Sequence, residues 1–364
     1  MWASMSPRKR FWMMAWWAWL VIPAAIGYML LTSQLRDYRQ ATIARHASRM
    51  SAEAGASDAE RTPPPGHEND VPARVKIGAY VDRISEFSIV GSSWKVDFYV
   101  WFNWTGDLNP GDTFKLVNGE ILTKALQEKT DHGPEHYALY RVTAQITKSF
   151  DTSSFPRDEH LLTIAIEDQS LQSYQLAFVT DEAASDISSR VAVAGYKTVG
   201  KSAVVKPHAY KTSLGKPGLP PNYKATYSQF VFGITIARPT WGFFTKMFLA
   251  TYIAVLLALA GLFVRGAGER LGLASTALFV AVINGMEIAS VVPEDGNATL
   301  ADLVNGVSYL VIGQIILQAV LYHRYLCNEG SNPNEATLFD RTSLVLITAI
   351  AVVFNLGIVR ALTG

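Results

Sequence analysis

The chain has 364 residues, enough for one large domain or two ordinary ones, and is 49% hydrophobic, only 17% charged, with a formal net charge of +1. So low a charge content departs from that of a soluble globular protein, and the balanced charge supplies no field for a nucleic-acid partner. The single Cys327 excludes an internal disulfide. Residues 1–33 place Arg8, Lys9 and Arg10 before the apolar run Phe11–Leu31. That run is longer than a signal-peptide core, rich in tryptophan and followed by no small-residue cleavage site. It reads as a retained transmembrane anchor with a cytoplasmic N-terminus. Residues 34–70 are polar and end in RTPPPGHEND. They read as a spacer, with a short helix continuing from the anchor at their start.

Residues 71–239 carry a β pattern. In WKVDFYVWFNW, Val96, Phe98, Val100 and Phe102 share one face. YALYRVTAQITKSF, HLLTIAIED and YSQFVFGITIAR alternate too, and turns rich in Gly, Pro, Asn and Asp separate them. The expectation is an antiparallel β-sandwich with no βαβ unit. Nucleophile-elbow, zincin, Walker and Rossmann signatures are lacking, so an enzyme is not expected. His132 and His136 flank a Gly-Pro turn rather than sharing a helix face. No metal site or cofactor is expected there.

Residues 240–364 hold four more apolar segments, Trp241–Val264, Leu271–Val292, Leu303–Tyr322 and Ser343–Leu362. Each is long enough to span a bilayer. Arg265, Arg270, His323, Arg324 and Arg341 fall on the cytoplasmic side, and the acidic turn PEDGNATLAD on the other. The β domain and the C-terminus then lie outside. The second of these segments carries polar groups that lipid disfavours. Gly272, Thr276, Phe279, Ile283 and Met286 form one helical stripe, with Glu269 just below it and Glu287 at its upper border. Such a stripe suits a water-filled axis with a large-residue gate, or helix–helix packing through its small residues.

Three stretches resemble the pentameric ligand-gated ion channels, in the prokaryotic branch without the loop disulfide. FPRDEHLLTIAIED (Phe155–Asp168) is similar to the family's Phe-Pro-Phe-Asp loop, with Phe155, Pro156, Asp158 and Leu162 matching and Arg157 in place of the middle Phe. ARPTWGFF resembles the junction into the first channel helix, through Arg238 and Pro239. GERLGLASTALFVAVI resembles the pore helix of cation-selective members, through Gly268, Glu269 and Arg270. The resemblance covers Val71 to the C-terminus. The chain departs from it in the extra N-terminal span, in Phe279 at the gate and in a short loop before the last span.

The resemblance implies a homopentamer, four further copies joining each chain, in a bacterial inner membrane and among lipid. It implies a ligand-gated cation channel with a pore lined by Glu269, Gly272, Thr276, Phe279, Ile283, Met286 and Glu287, with Arg270 pointing away. Coupling between the β domain and the pore falls to Phe155, Pro156, Arg157, Asp158, Arg238 and Pro293, with Glu294 and Asp295 as further charges. The ligand site falls beneath a hairpin near Tyr210–Tyr227, with Tyr210, Tyr223 and Tyr227 as walls and Tyr137 and Tyr140 as weaker ones. The trigger is a small organic or ionic ligand. Protonation is the rival trigger, at Glu86, Asp97, Glu167, Asp181, Glu287, His160 or His208. The alternative function is a non-conducting sensory protein that keeps the channel fold. A transporter needs internal repeats and broken helices, and neither is visible.

Overall fold

The structure, a computed structural model, describes residues 5–52, 63–64, 66–220, 223–238, 241–264, 266–292, 298–326 and 333–363. Pro239, Pro293, Glu294, Asp295, Arg265 and Cys327 lie outside the described residues. The chain divides into two units. A helical unit comprises Met1–Ala41, Thr152–Asp158 and Thr240–Gly364, and a β unit comprises Thr42–Asp151 and Glu159–Pro239.

The first element is a single helix, α1 (Pro7–Arg49), 43 residues long. The helix expected to continue from the anchor thus runs without a break past residue 33 to Arg49. Residues 34–49 contain no Gly or Pro and are rich in Ala, Arg and Gln, so nothing ends the helix there. His46 and Arg49 occupy its last turn, where positive charge complements the helix dipole.

The β unit contains β1 (Ala73–Ser88), β2 (Ser93–Thr105), the short α2 (Pro110–Thr113), β3 (Phe114–Leu116), β4 (Gly119–His132) and β5 (Glu135–Thr147). After a loop follow β6 (Glu159–Asp168), β7 (Leu176–Thr180), β8 (Asp186–Ile187), β9 (Lys197–Ala209) and β10 (Thr226–Ala237). One sheet runs β4-β5-β2-β1-β7, with β8 also paired to β1; the other runs β3-β6-β10-β9. Period-two alternation decides what lies between them. Val96, Phe98, Val100 and Phe102 from β2 meet Leu162, Ile164 and Ile166 from β6 and Phe230, Phe232 and Ile234 from β10, all fully buried or nearly so. The sandwich is not wholly antiparallel as expected. β7 and β8 run parallel to β1, because the chain leaves β6 in one sheet and re-enters at the edge of the other.

The helical unit adds α3 (Trp241–Gly261), α4 (Ala267–Ala289), α5 (Leu300–Leu321) with a π turn at Tyr322–Leu326, and α6 (Pro333–Thr363). Among the described residues, α1 and these four are long and apolar enough to cross a membrane, as a membrane-embedded protein requires. α1 packs along α6. The indoles of Trp16 and Trp17 donate to Ser343 Oγ at 3.0 Å and Thr342 Oγ1 at 3.2 Å, and Lys9 Nζ meets Glu335 at 2.8 Å. In apolar surroundings these polar partners hold the tryptophans' N–H groups in one register.

In the β unit, Lys148 Nζ donates to the Leu161 carbonyl and lies 5.6 Å from the Phe150 ring centre. Burial, reinforced by the nearby Arg49 charge, lowers its pKa from 10.5 to about 7. Folding therefore favours the neutral amine. Between pH 7 and about 10 the unfolded chain holds the proton and the folded chain releases it, so stability rises with pH across that window. Replacing Lys148 with Met should flatten this rise in thermal unfolding of the detergent-solubilised chain. An unaltered slope would reject the assignment.

Candidate functional site

The polar groups of α4 sort into two sets. On the packed side, Ala274, Ala277 and Ala281 are fully buried, small enough for α3 and α5 to approach closely. Asn284 Nδ2 donates to the Met247 carbonyl at 3.1 Å and to Thr251 Oγ1 at 3.0 Å. Thr251 in turn donates to Asn305 Oδ1 at 3.3 Å, linking α3, α4 and α5. Arg270 is buried on the same side. Its two terminal nitrogens meet the Asp340 carboxylate at 2.8 and 2.7 Å, and its guanidinium lies 4.2 Å from the Tyr322 ring centre. Gln318 donates to the same carboxylate at 2.7 Å.

The other side of α4 is exposed. Glu269, Gly272, Thr276, Phe279, Ile283, Met286 and Glu287 all lie there, with Phe279 67% and Met286 69% exposed. Thr276 Oγ1 donates back to the Gly272 carbonyl at 2.9 Å. Along their middle turns the other spanning helices expose apolar side chains, as at Leu249, Ile253 and Leu256 on α3 and Val345, Val352 and Leu356 on α6, with exposed charges such as Lys246 and Arg341 nearer their ends. The exposed face of α4 mixes charged, small and bulky residues instead.

In the β unit, register places Lys115 opposite Glu167, and Tyr227 opposite His208. All four lie on the outer face of the four-stranded sheet, since Ile166 and Phe230 point into the core. Glu167 is nevertheless fully buried. His208 Nδ1 hydrogen-bonds its carboxylate, Gln229 Nε2 donates to it at 2.8 Å and Tyr210 OH at 3.1 Å, and Lys115 Nζ stands 3.8 Å away. Such pairing is what a buried carboxylate requires. Burial, then the Glu167 charge, pushes the Tyr210 hydroxyl up to about 12, so it stays a donor. The Lys115 ammonium sits 5.6 Å from the Tyr210 ring centre and 5.0 Å from that of Tyr227. This places a cation over aromatic faces.

Tyr210, Tyr223 and Tyr227 thus form one cluster, with Ala225 and Leu219. Tyr137 and Tyr140 do not join it, because they belong to β5 in the other sheet. Tyr140 is buried against Phe102 and Phe114, with its hydroxyl on Asp112 at 2.7 Å. Tyr137 is half-buried. A cleft of about 540 Å³ opens where edge strands β7 and β9 face each other. The segment containing His67, Glu68 and Asp70 lines one part of it, and Tyr174, Phe178, Lys206 and Tyr223 line another. Tyr223 OH bonds Gln172 Oε1 at 2.5 Å, so Tyr223 joins this cleft to the tyrosine cluster.

The remaining titratable candidates are dispersed. Asp97 meets Arg83 at 2.9 Å, Asp181 meets Lys76 at 2.9 Å and Glu86 meets Lys95 at 3.2 Å, all in surface pairs. His160 is buried among Phe87, Phe150 and Tyr196. His136 pairs with Asp131 at 2.5 Å and stacks on Trp104, and His132 is exposed.

The loop between β5 and β6 packs with the helices. The amides of Leu300 and Ala301 donate to the carbonyls of Ser153 and Phe155, at 2.8 and 3.0 Å. Two orphan donors of the α5 first turn are thereby satisfied, and a capping box between Thr299 and Asp302 supplements them. Phe155 is buried with Phe244, Phe248 and Leu300, its bond to Pro156 is cis, and Asp158 is buried. Arg157 lies 4.1 Å from the Trp241 ring centre, whereas Arg238 lies over Tyr196 in the β unit at 4.3 Å.

Sequence reading missed Lys115, Gln229, Gln172 and Asp340. Strand parity in TIAIED and SQFVF puts Glu167 and Gln229 on one face, but nothing in it shows that this face is covered. The sequence matches no protein-family model, and no curated protein matches it significantly.

Asp340→Asn should leave the buried Arg270 without its counter-charge. Breaking such a pair costs about 3 kcal/mol. A clear drop in the unfolding temperature of the detergent-solubilised chain is expected, and an unchanged temperature would show that the pair carries no stability.

Proposed function

We propose that this chain is one subunit of a homopentameric, cation-selective channel in a bacterial inner membrane, opened by a ligand sensed in its β unit. The observation that carries this reading is the exposed face of α4. Glu269 and Glu287 are costly against lipid but suit water, and Gly272 and Thr276 are small enough to line a path between them. Five copies of that face around an axis would make an aqueous path, and the Phe279, Ile283 and Met286 rings would form an apolar constriction that empties of water when narrow. Five Glu269 carboxylates at one mouth would concentrate cations. Arg270, whose charge would oppose them, is buried against Asp340.

The loop 152–158 would carry a signal to the pore by pulling on the start of α5. The tyrosine cluster and the adjoining cleft would receive the ligand. Aromatic faces and the carboxylates of Glu68 and Asp70 favour an organic cation such as a small amine. Phenylalanine at position 279 also supports a second reading, a non-conducting sensor, because five such rings could close the axis permanently.

Reconstitution in liposomes with measurement of cation flux separates the two readings. In conducting protein, Glu269→Gln should reduce the cation-to-anion permeability ratio by a factor of about three to ten, read from reversal potentials in a salt gradient. A mutant that conducts with the original ratio would remove Glu269 from the pore mouth. Tyr223→Ala should move the midpoint for opening by amines about three-fold or more. Full opening by acid alone, with no movement in that variant, would transfer the trigger to Glu167 and His208.

A further inference from the structure

The outer face of the four-stranded sheet has a second occupant besides the tyrosine cluster. The end of α1 lies on it. Met50 packs over Gly233 of β10, where a Cβ would stand 2.8 Å from its sulfur and 3.1 Å from Leu161 Cδ1. Any side chain at 233 would therefore displace Met50. Lys206 of β9 donates to the Arg49 carbonyl at 2.9 Å and so caps the helix C-terminus with a cation.

The preceding turn of α1 is directed at two particular residues. Arg45 pairs with Asp151, and Thr42 Oγ1 donates to the same carboxylate at 3.1 Å. Arg45 also donates to Thr42 Oγ1 at 3.1 Å, closing a three-membered polar cluster. One residue on, His46 Nδ1 lies 3.6 Å from Glu159. Asp151 is the last β-unit residue before the loop 152–158, and Glu159 is the first after it. One stem of the loop is thus hydrogen-bonded to α1, and the other lies beside the next residue of the same helix. The loop's own carbonyls, at Ser153 and Phe155, receive the first amides of α5.

We infer that Thr42, Arg45 and His46 are positioning residues that hold the two stems of the loop 152–158 and so keep the loop's own carbonyls ordered. A helix is the stiffest connection the chain can offer, and it spaces side chains at fixed intervals along its surface. Two stems held by residues 45 and 46 keep a constant separation, whereas stems held only by strand pairing could fray at their ends. The extra N-terminal helix thereby acquires a purpose beyond anchoring. The consequence for opening rests on the channel reading above, but the effect on the loop does not.

Hydrogen–deuterium exchange on the purified full-length chain tests this, with variants Arg45→Ala, Asp151→Ala and the swap Arg45→Asp with Asp151→Arg. Partly exposed pairs of this kind change opening equilibria modestly, so exchange at residues 153–157 and at Leu300 and Ala301 should quicken about three- to five-fold in each single variant. Exchange in β2 and β5 should not change, and the swap should restore part of the protection. Unchanged loop exchange in both single variants would overturn the inference. Should a variant also lose protection in β2 and β5, Thr42→Val keeps the side chain's shape and removes only the two 3.1 Å bonds made by Oγ1. It should then raise exchange at the same loop amides alone, and no rise would equally overturn the inference. In liposomes, the single variants should shift the opening midpoint. Absence of flux in every protein, the unaltered one included, would sink the channel reading while the exchange result stood.

Discussion

A polar group on an apolar helix has two stable fates: a partner inside the protein, or water. That constraint organises the helical unit. Arg270 and Asp340 satisfy each other, with Gln318 and Tyr322 closing around them. Asn284, Thr251 and Asn305 satisfy each other across three helices. Trp16 and Trp17 find hydroxyls on α6. Once these groups are accounted for, Glu269 and Glu287 remain on an exposed face together with Gly272 and Thr276. Their placement is intelligible if that face meets water, and this is the root of the channel reading.

The same accounting applies to the β unit. A carboxylate on the outer face of a sheet is ordinarily solvated. Glu167 is instead covered by Tyr210, Tyr227 and His208, and it accepts hydrogen bonds in exchange for the water it lost. The hairpin between β9 and β10 is held down by a charged group rather than by apolar contact alone. Anything that enters beside Tyr223 or alters the charge of this cluster acts on the edge of the sheet. The same face of that sheet carries the tail of α1, so one β surface serves both a candidate ligand site and the hold on the loop's stems.

Sequence and structure divide the explanation unevenly. Period-two alternation in WKVDFYVWFNW placed Val96, Phe98, Val100 and Phe102 in the core, because a strand has only two faces and one of them was wholly apolar. Length and hydropathy identified the five helices, because a bilayer imposes a minimum apolar length. The stripe from Gly272 to Met286 was visible from helical spacing alone. The helix expected to continue from the anchor was legible as well, since residues 34–49 hold no Gly or Pro, and α1 runs on to Arg49.

Tertiary structure decided whatever depends on residues distant in the chain. Asp340 lies seventy positions from Arg270, and no periodicity connects them. Glu167 could be recognised as outward-facing, but its burial depends on a hairpin some forty residues later. Tyr140 looked like a ligand wall and lies in the core because β2 and β3 pack on it. The parallel pairing of β7 and β8 with β1 arises from a sheet-to-sheet crossing that leaves no mark on local composition. Local pattern determines which face of an element is apolar, since that follows from backbone geometry alone. Which partner covers the face is settled only when the whole chain has packed, since it depends on the joint burial of groups far apart in sequence.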